Sequence, residues 1–445
     1  MMKLRSPTER TPARGGRSSR RAAPRVAALR VAAVAAGAAV LLAGCGGGTG
    51  GNGGSSAPGV THPVATDSPS STGARPLPAP QPLADPSTRP GAPTAATGHA
   101  TPACGNALRL ATWSNSRLAM LTITVPAAEG DPSSVTAEVG AGAGGVLLFG
   151  SSAPSGLGAE LAALKAHAPE SFGPLVMTDE EGGGIQRMAN LVGSLPWPSW
   201  MGANWSAAQI RQATALVAAR MAAAGVTMDL APVADVDGTN APPSATDPDG
   251  WRSFSGNGAV AASDTIAYMQ GMISGGVIPV LKHFPGLGGS SYNSDDGPAS
   301  TLPWPTEQTV GVPPFTAAIA AGAPAIMISN NTVPGLATDP AGLSPTVITG
   351  ELKGRLGFHG LVITDALDAK AVSAAGFDVP QAAVQALRAG ADMVMFGLGP
   401  NVGAQTSATA AAIVSAVNGG SLARSRLIDA AGAVLAVRHI DLCHS

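Results

Sequence analysis

The sequence predicts a (β/α)8 TIM-like barrel within the α/β class, on three observations. Eight short apolar runs alternate with longer Ala-rich stretches, the region after residue 104 has the size of one such domain, and no G-x-G-x-x-G leads directly from the first run into a helix. The runs are 121–125, 145–149, 175–178, 226–233, 278–283, 325–329, 361–364 and 393–396. Between them lie stretches rich in helix formers, 207–224, 259–274, 314–321 and 380–389 among them. A doubly wound open sheet also reads as alternating strand and helix, but the count of runs and the missing glycine fingerprint favour the closed form.

Taken from the N-terminus, the chain begins with crowded cations: Lys3, Arg5, Arg10, Arg14, Arg17, Arg20, Arg21, Arg25 and Arg30. An apolar run, 31–43, follows and ends at Gly44-Cys45. A basic region, a short apolar core and small residues before a cleavage point describe a secretory signal, and the run is shorter than the roughly 20 residues of a spanning helix. Leu42-Ala43-Gly44-Cys45 resembles the bacterial lipobox, whose cysteine is acylated. That implies a signal peptide over 1–44, lipid on Cys45, and a membrane-anchored lipoprotein exported to face the cell wall. An ordinary signal with an unrelated cysteine, or a retained anchor, are the alternatives.

Residues 45–103 are Gly, Ser, Thr, Pro and Ala with almost no large apolar side chain. Such a segment buries too little surface to offset its ordering entropy, so a disordered tether is expected. Its glycines resemble a phosphate loop only superficially, since no strand precedes them and no Lys-Ser/Thr follows. Residues 104–445 form the barrel domain. With Cys45 lipidated, Cys104 and Cys443 remain, and in an oxidising compartment they can pair if the domain's ends lie close. Two free thiols are the other possibility.

Hydrophobic residues make up 45% of the chain and charged residues 12%, enough for a large core. A formal net charge of −2 lacks the basic excess that nucleic-acid binding needs. No Cys/His ligand spacing points to a metal, no cofactor is expected, and the chain is expected to act as a monomer.

In a barrel, chemistry belongs at the C-terminal ends of the strands. There the sequence places Asp179-Glu180-Glu181 after the third run, Asp235 after the fourth, Lys282-His283 at the fifth, Asn330-Asn331 after the sixth and Asp365 at the seventh. Carboxylates, a Lys-His pair and arginines on one rim suit a polyhydroxylated ligand.

Five motifs carry a family resemblance: Asp179-x-Glu181-Gly182-Gly183-x-x-Gln186-Arg187, Ala231-Pro232-Val233-x-Asp235-Val236, Arg252-Ser253-Phe254, Lys282-His283-Phe284-Pro285-Gly286 and Ile363-Thr364-Asp365-x-Leu367. In order and spacing they resemble glycoside hydrolase family 3, and within it the single-domain bacterial β-N-acetylglucosaminidase type. The resemblance covers roughly residues 111–389. It implies a barrel, retaining hydrolysis of β-linked N-acetylglucosamine in cell-wall fragments, Asp365 as nucleophile, and sugar contacts from Asp179, Arg187, Arg252, Lys282 and His283. It also implies that Glu181 holds the Gly-Gly turn. Helix capping for Asp365 and Asp179, or structural ion pairs for the arginines, are the plainer uses of these residues. Trp197, Trp200, Trp205 and Trp251 could stack on sugar faces, but are expected rather to pack in the core or a lid.

One loop departs from the family pattern. Where the family continues Gly-His-Gly and then Asp-Ser-His, whose Asp and His form the acid/base pair, this chain has Leu287 and Asn293-Ser294-Asp295. Asp295 or Asp296 can replace the pair, with Asp295 the candidate taken, because a carboxylic acid with a raised pKa can perform the same proton transfers. Without a replacement the chain would be a catalytically impaired, muropeptide-binding lipoprotein.

Overall fold

The structure is a computed structural model that describes residues 105–444. The signal segment, the tether, Cys45 and Cys104 lie outside the described residues. Cys443 is disulfide-bonded.

Eight parallel strands close into a barrel: β1 (Ile123–Ala128), β2 (Gly145–Phe149), β3 (Leu175–Thr178), β4 (Met228–Asp229), β5 (Ile278–Phe284), β6 (Ala325–Ile328), β7 (Leu361–Ala366) and β8 (Met393–Met395). Each strand pairs with its sequence neighbours, and β1 pairs with both β2 and β8, so no edge is left open. This excludes the open sheet. Strand interiors such as Leu361-Val362-Ile363-Thr364 are fully buried, as strands covered on both faces require.

The outer layer comprises α1 (Thr136–Gly140), α2 (Leu157–Lys165), α3 (Ala207–Ala223), α4 (Gly258–Ser274), α5 (Val312–Ala320), α6 (Thr346–Arg355, wound with π-type hydrogen bonds), α7 (Val379–Ala389) and α8 (Val402–Asn418). Local sequence explains the best-defined ends. Ser206 and Gln209 form a capping box at the start of α3, and Asp378 and Gln381 do so for α7. Gly390 then takes the left-handed conformation that terminates α7. Helices Asn106–Leu110, Asn115–Leu121 and Arg424–Ala436 flank the barrel sequence.

Two of the expected runs, the first and the fourth, differ most from the observed strands. The first expected strand starts inside helix Asn115–Leu121, which the Thr122 hydroxyl closes by donating to Ala119 O at 2.8 Å, so β1 begins two residues later. The fourth is cut to Met228–Asp229 because Pro232 has no N–H for the ladder, and beyond it the backbone pairs with β5 through the isolated Val233–Lys282 bridge. That early departure carries Asp235 across to the end of β5.

Phe284, at the end of β5, meets Phe315 of α5 edge-on with centroids 5.3 Å apart, and both are fully buried. This contact anchors the strand that carries Lys282 and His283. Phe315→Ala should cost about 3–5 kcal/mol of stability through transfer and cavity terms. Denaturant unfolding checks it, and a loss near zero would show that the contact does not hold β5.

Candidate functional site

The C-terminal ends of the strands surround an open pocket of about 650 Å3, within the usual range for small-molecule sites. Asp179, Arg187, Arg252, Lys282, His283, Asp295 and Asp365, the residues singled out by sequence, all line it.

One wall is an ion-pair network. Lys282 Nζ reaches Asp179 Oδ1 at 2.8 Å and Glu181 Oε1 at 2.7 Å, with the lysine side chain only 4% exposed. Arg252 grips Glu181 with two parallel bonds of 2.8 Å, from Nε to Oε2 and from Nη2 to Oε1, and gives Nη1 to Pro248 O at 2.9 Å. Arg187 reaches Asp179 Oδ2 at 3.3 Å from a more exposed position. Burial alone would raise the pKa of Asp179, but Lys282 and then Arg187 hold it below the usual range. Burial likewise opposes ionisation of Glu181, and Arg252 and Lys282 overcome it, holding that carboxyl well below its ordinary value. Lys282 is correspondingly raised, its burial outweighed by the two carboxylates.

Glu181 was expected to hold the Gly-Gly turn. Its carboxylate instead joins the pocket wall, because Lys282 and Arg252 both converge on it. The turn is held otherwise: Gly183 has φ +59°, a conformation that favours glycine, and its backbone lies so close to the Trp197 ring that a Cβ would come within 2.0 Å of Cδ2. Trp197 packs on Trp251 with centroids 5.9 Å apart, and Trp200 on Trp205 at 5.7 Å. None of the four tryptophans lines the pocket.

Asp235, fully buried, organises the next segment. Its Oδ1 accepts the His283 N–H at 3.0 Å and the Leu287 N–H at 2.8 Å, while Oδ2 lies 2.8 Å from His283 Nδ1. With Nδ1 tied to a carboxylate, Nε2 is the ring nitrogen left for a ligand. The Lys282–His283 peptide is cis. Gly288 then passes so close to Val236 that a Cβ would come within 1.8 Å of its carbonyl oxygen, so the loop needs glycine there.

The opposite wall carries the remaining carboxylates. Asp365, at the end of β7, uses Oδ1 to accept the Ala366 N–H at 2.7 Å. Asp295 stands at the pocket mouth, exposed as a residue but with its carboxyl crowded by the walls. That crowding, then the charges of Asp365 and Asp368, push its pKa up to about 6. Its loop is tied down from two sides: Asn293 N–H donates to Ala245 O at 2.7 Å, and Ala371 N–H, from the segment after Asp365, donates to Ser294 O at 2.9 Å.

Sequence reading overlooked Asp368 and the 243–248 loop, both of which contribute to the lining. Asp368 follows Asp365 by three residues on a strand-end loop, a placement that is itself a signal. Its carboxylate accepts the Gly397 N–H at 2.6 Å. For residues 243–248 no motif marks the contribution, which arises only where the loop folds back over the rim.

Comparison with known proteins agrees with this geometry. The family description "Glycosyl hydrolase family 3 N terminal domain" matches residues 136–437. The beta-hexosaminidase LpqI of Mycobacterium tuberculosis is 34% identical over 235 residues, covering 50% of this chain and 59% of that protein, so the matched region spans less than two thirds of this relative. A beta-hexosaminidase of Stenotrophomonas maltophilia is 36% identical over 242 residues, covering 53% of this chain and 69% of its own. The crystal structure of a GH3-family glycosyl hydrolase from Mycobacterium smegmatis superposes with a TM-score of 0.65 at 32% identity, covering 74% of this chain and 98% of that one.

The network predicts unequal costs for its two arginines. Arg252→Ala leaves Glu181 buried with one partner fewer and should destabilise by about 3–5 kcal/mol. Arg187→Ala, whose side chain is 31% exposed, should cost about 0–1 kcal/mol. Urea unfolding of both variants is the check, and equal losses would contradict the arrangement. In the parent protein, the depressed carboxyls of Asp179 and Glu181 contribute stability that is present above their unfolded pKa values and lost as pH falls through the folded ones.

Proposed function

The chain belongs to glycosyl hydrolase family 3, and from that premise we propose that it hydrolyses β-linked N-acetylglucosamine glycosides, such as cell-wall fragments, by a retaining double displacement. Asp365 is the nucleophile and Asp295 the acid/base. The observation that carries the reading is that both carboxylates line one pocket, facing a wall of charge-assisted donors. The beta-hexosaminidase names of the relatives support the sugar class.

In the first step the Asp365 carboxylate forms a bond to the anomeric carbon as the bond from that carbon to the leaving oxygen breaks. Asp295 gives its proton to that oxygen. In the second step Asp295, now a carboxylate, takes a proton from water, whose oxygen bonds the anomeric carbon and releases Asp365. The raised pKa of Asp295 lets it keep its proton up to about pH 6, higher than an ordinary carboxyl would, as the first step needs.

The other wall positions the sugar. Lys282 has one ammonium hydrogen left after Asp179 and Glu181, and Arg252 has two of its five N–H groups left. Together with His283 Nε2, Asp179 and Arg187 they supply donors and acceptors to the sugar hydroxyls. The lipobox-like Leu42-Ala43-Gly44-Cys45 supports a location on the outer face of the membrane, with lipid on Cys45 and residues 45–103 as the spacer.

The purified protein should release phenol from an aryl β-N-acetylglucosaminide and not from an aryl β-glucoside. Release from neither, with sugar binding seen by calorimetry, would overturn the hydrolase reading in favour of a sugar-binding protein. Asp295→Asn should slow poor leaving groups by about 10²–10⁴-fold while sparing formation of the intermediate from activated ones, because activated leaving groups need no proton. With poor leaving groups kcat/KM should fall as pH rises through about 6, where Asp295 loses its proton, and the variant should lack that limb. A limb that persists in the variant assigns it to another group.

A further inference from the structure

The Asn330-Asn331 pair after β6 stands out in the sequence, and neither residue has a part in the chemistry described above. Both side chains are buried, Asn330 completely and Asn331 to 1% exposure. Their amides donate to two different segments of the site. Asn330 Nδ2 donates to Ala366 O at 2.7 Å. Ala366 is the residue whose N–H is held by Asp365 Oδ1 at 2.7 Å, so the asparagine grips one end of the residue that orients the nucleophile from the other. Asn331 Nδ2 donates instead to Ser290 Oγ at 2.5 Å, and that hydroxyl donates onward to Tyr292 O at 2.9 Å. Ser290 and Tyr292 lie in the loop that runs from Leu287 to Asp295.

The pair itself is anchored by backbone. Asn331 N–H donates to Ser329 Oγ at 3.1 Å, and Asn331 O accepts the Ala341 N–H at 2.9 Å. Asn330 Oδ1 is buried with no partner, a cost that a purely structural residue could avoid by being apolar. The two amides therefore work from a fixed base, one on the strand end of Asp365 and one on the loop of Asp295.

We infer that Asn330 and Asn331 are positioning residues with divided labour: Asn330 sets the nucleophile Asp365, and Asn331 sets the loop that delivers the acid/base Asp295. Neither touches the reacting atoms in this role; each acts through the group it holds. The inference rests on the assignments of Asp365 and Asp295 and adds a separable prediction about the residues behind them.

Division of labour gives the two variants different kinetic signatures. Asn330→Ala loosens the attacking carboxylate, so formation of the glycosyl intermediate should slow by roughly 10–100-fold with activated and poor leaving groups alike, with little change in KM. Asn331→Ala loosens the proton donor, so it should slow poor leaving groups by a similar factor and leave intermediate formation from activated ones within about twofold. Pre-steady-state release from a series of aryl N-acetylglucosaminides reads both, with Asn330→Ser and Asn331→Ser as the second pair if the alanine variants do not fold. Equal losses across the series in both variants, or no loss in either, would overturn the inference. The underlying reading is tested apart from it: Asp365→Asn or Asp295→Asn without the expected defect would remove that reading, whatever the asparagine variants do.

Discussion

The arrangement depends on one buried cation. The Lys282 ammonium, almost wholly removed from water, lies between the carboxylates of Asp179 and Glu181. An unpaired charge there would cost several kcal/mol, so the lysine and its partners keep their charges only by holding one geometry. That geometry joins the end of β5 to the segment after β3, although β4 separates them in the barrel. Arg252 extends the grip to the loop after β4 through its fork on Glu181, and Arg187 extends it outward through Asp179. A polar wall built this way is rigid before a ligand arrives, which is what electrostatic preorganisation requires.

The other wall is governed by a different constraint. Asp365, Asp295 and Asp368 all line the pocket, and desolvation, then the charges of Asp365 and Asp368, favour a proton on Asp295. A paired wall that binds and an under-compensated wall that holds a proton are complementary needs of a double displacement. The backbone links Asp365 and Asp295, the two carboxylates of the proposed reaction: Ala371, six residues past Asp365, holds Ser294 next to Asp295. A loop that reads Asn293-Ser294-Asp295 can therefore present a carboxyl at a defined place.

Much of this was legible in the sequence because the signals are local. Eight apolar runs follow from short-range chemistry, and the closed barrel grew from them. Residues placed at strand ends, Asp179, Lys282, His283 and Asp365, were found because strand polarity fixes where they emerge. What was not legible is what depends on long-range convergence. Glu181 was assigned to its own turn, since nothing local shows that Arg252, 71 positions away, would meet it. Asp235 was visible as a strand-end carboxylate, but its grip on His283 and Leu287 requires β4 to end early at Pro232 and the chain to cross to β5. Asp368 needed no long-range information and was hidden only by the stronger motif beside it.

The proposed chemistry turns on attack of the Asp365 carboxylate on the sugar. Incubation with a fluorinated N-acetylglucosaminyl donor, which slows breakdown of the intermediate, followed by peptide mass spectrometry, tests it most directly. One glycosyl adduct is expected on the peptide that contains Asp365, absent from Asp365→Asn. A fully active protein whose adduct sits on another residue, or that forms none under conditions where the donor is turned over, would contradict it.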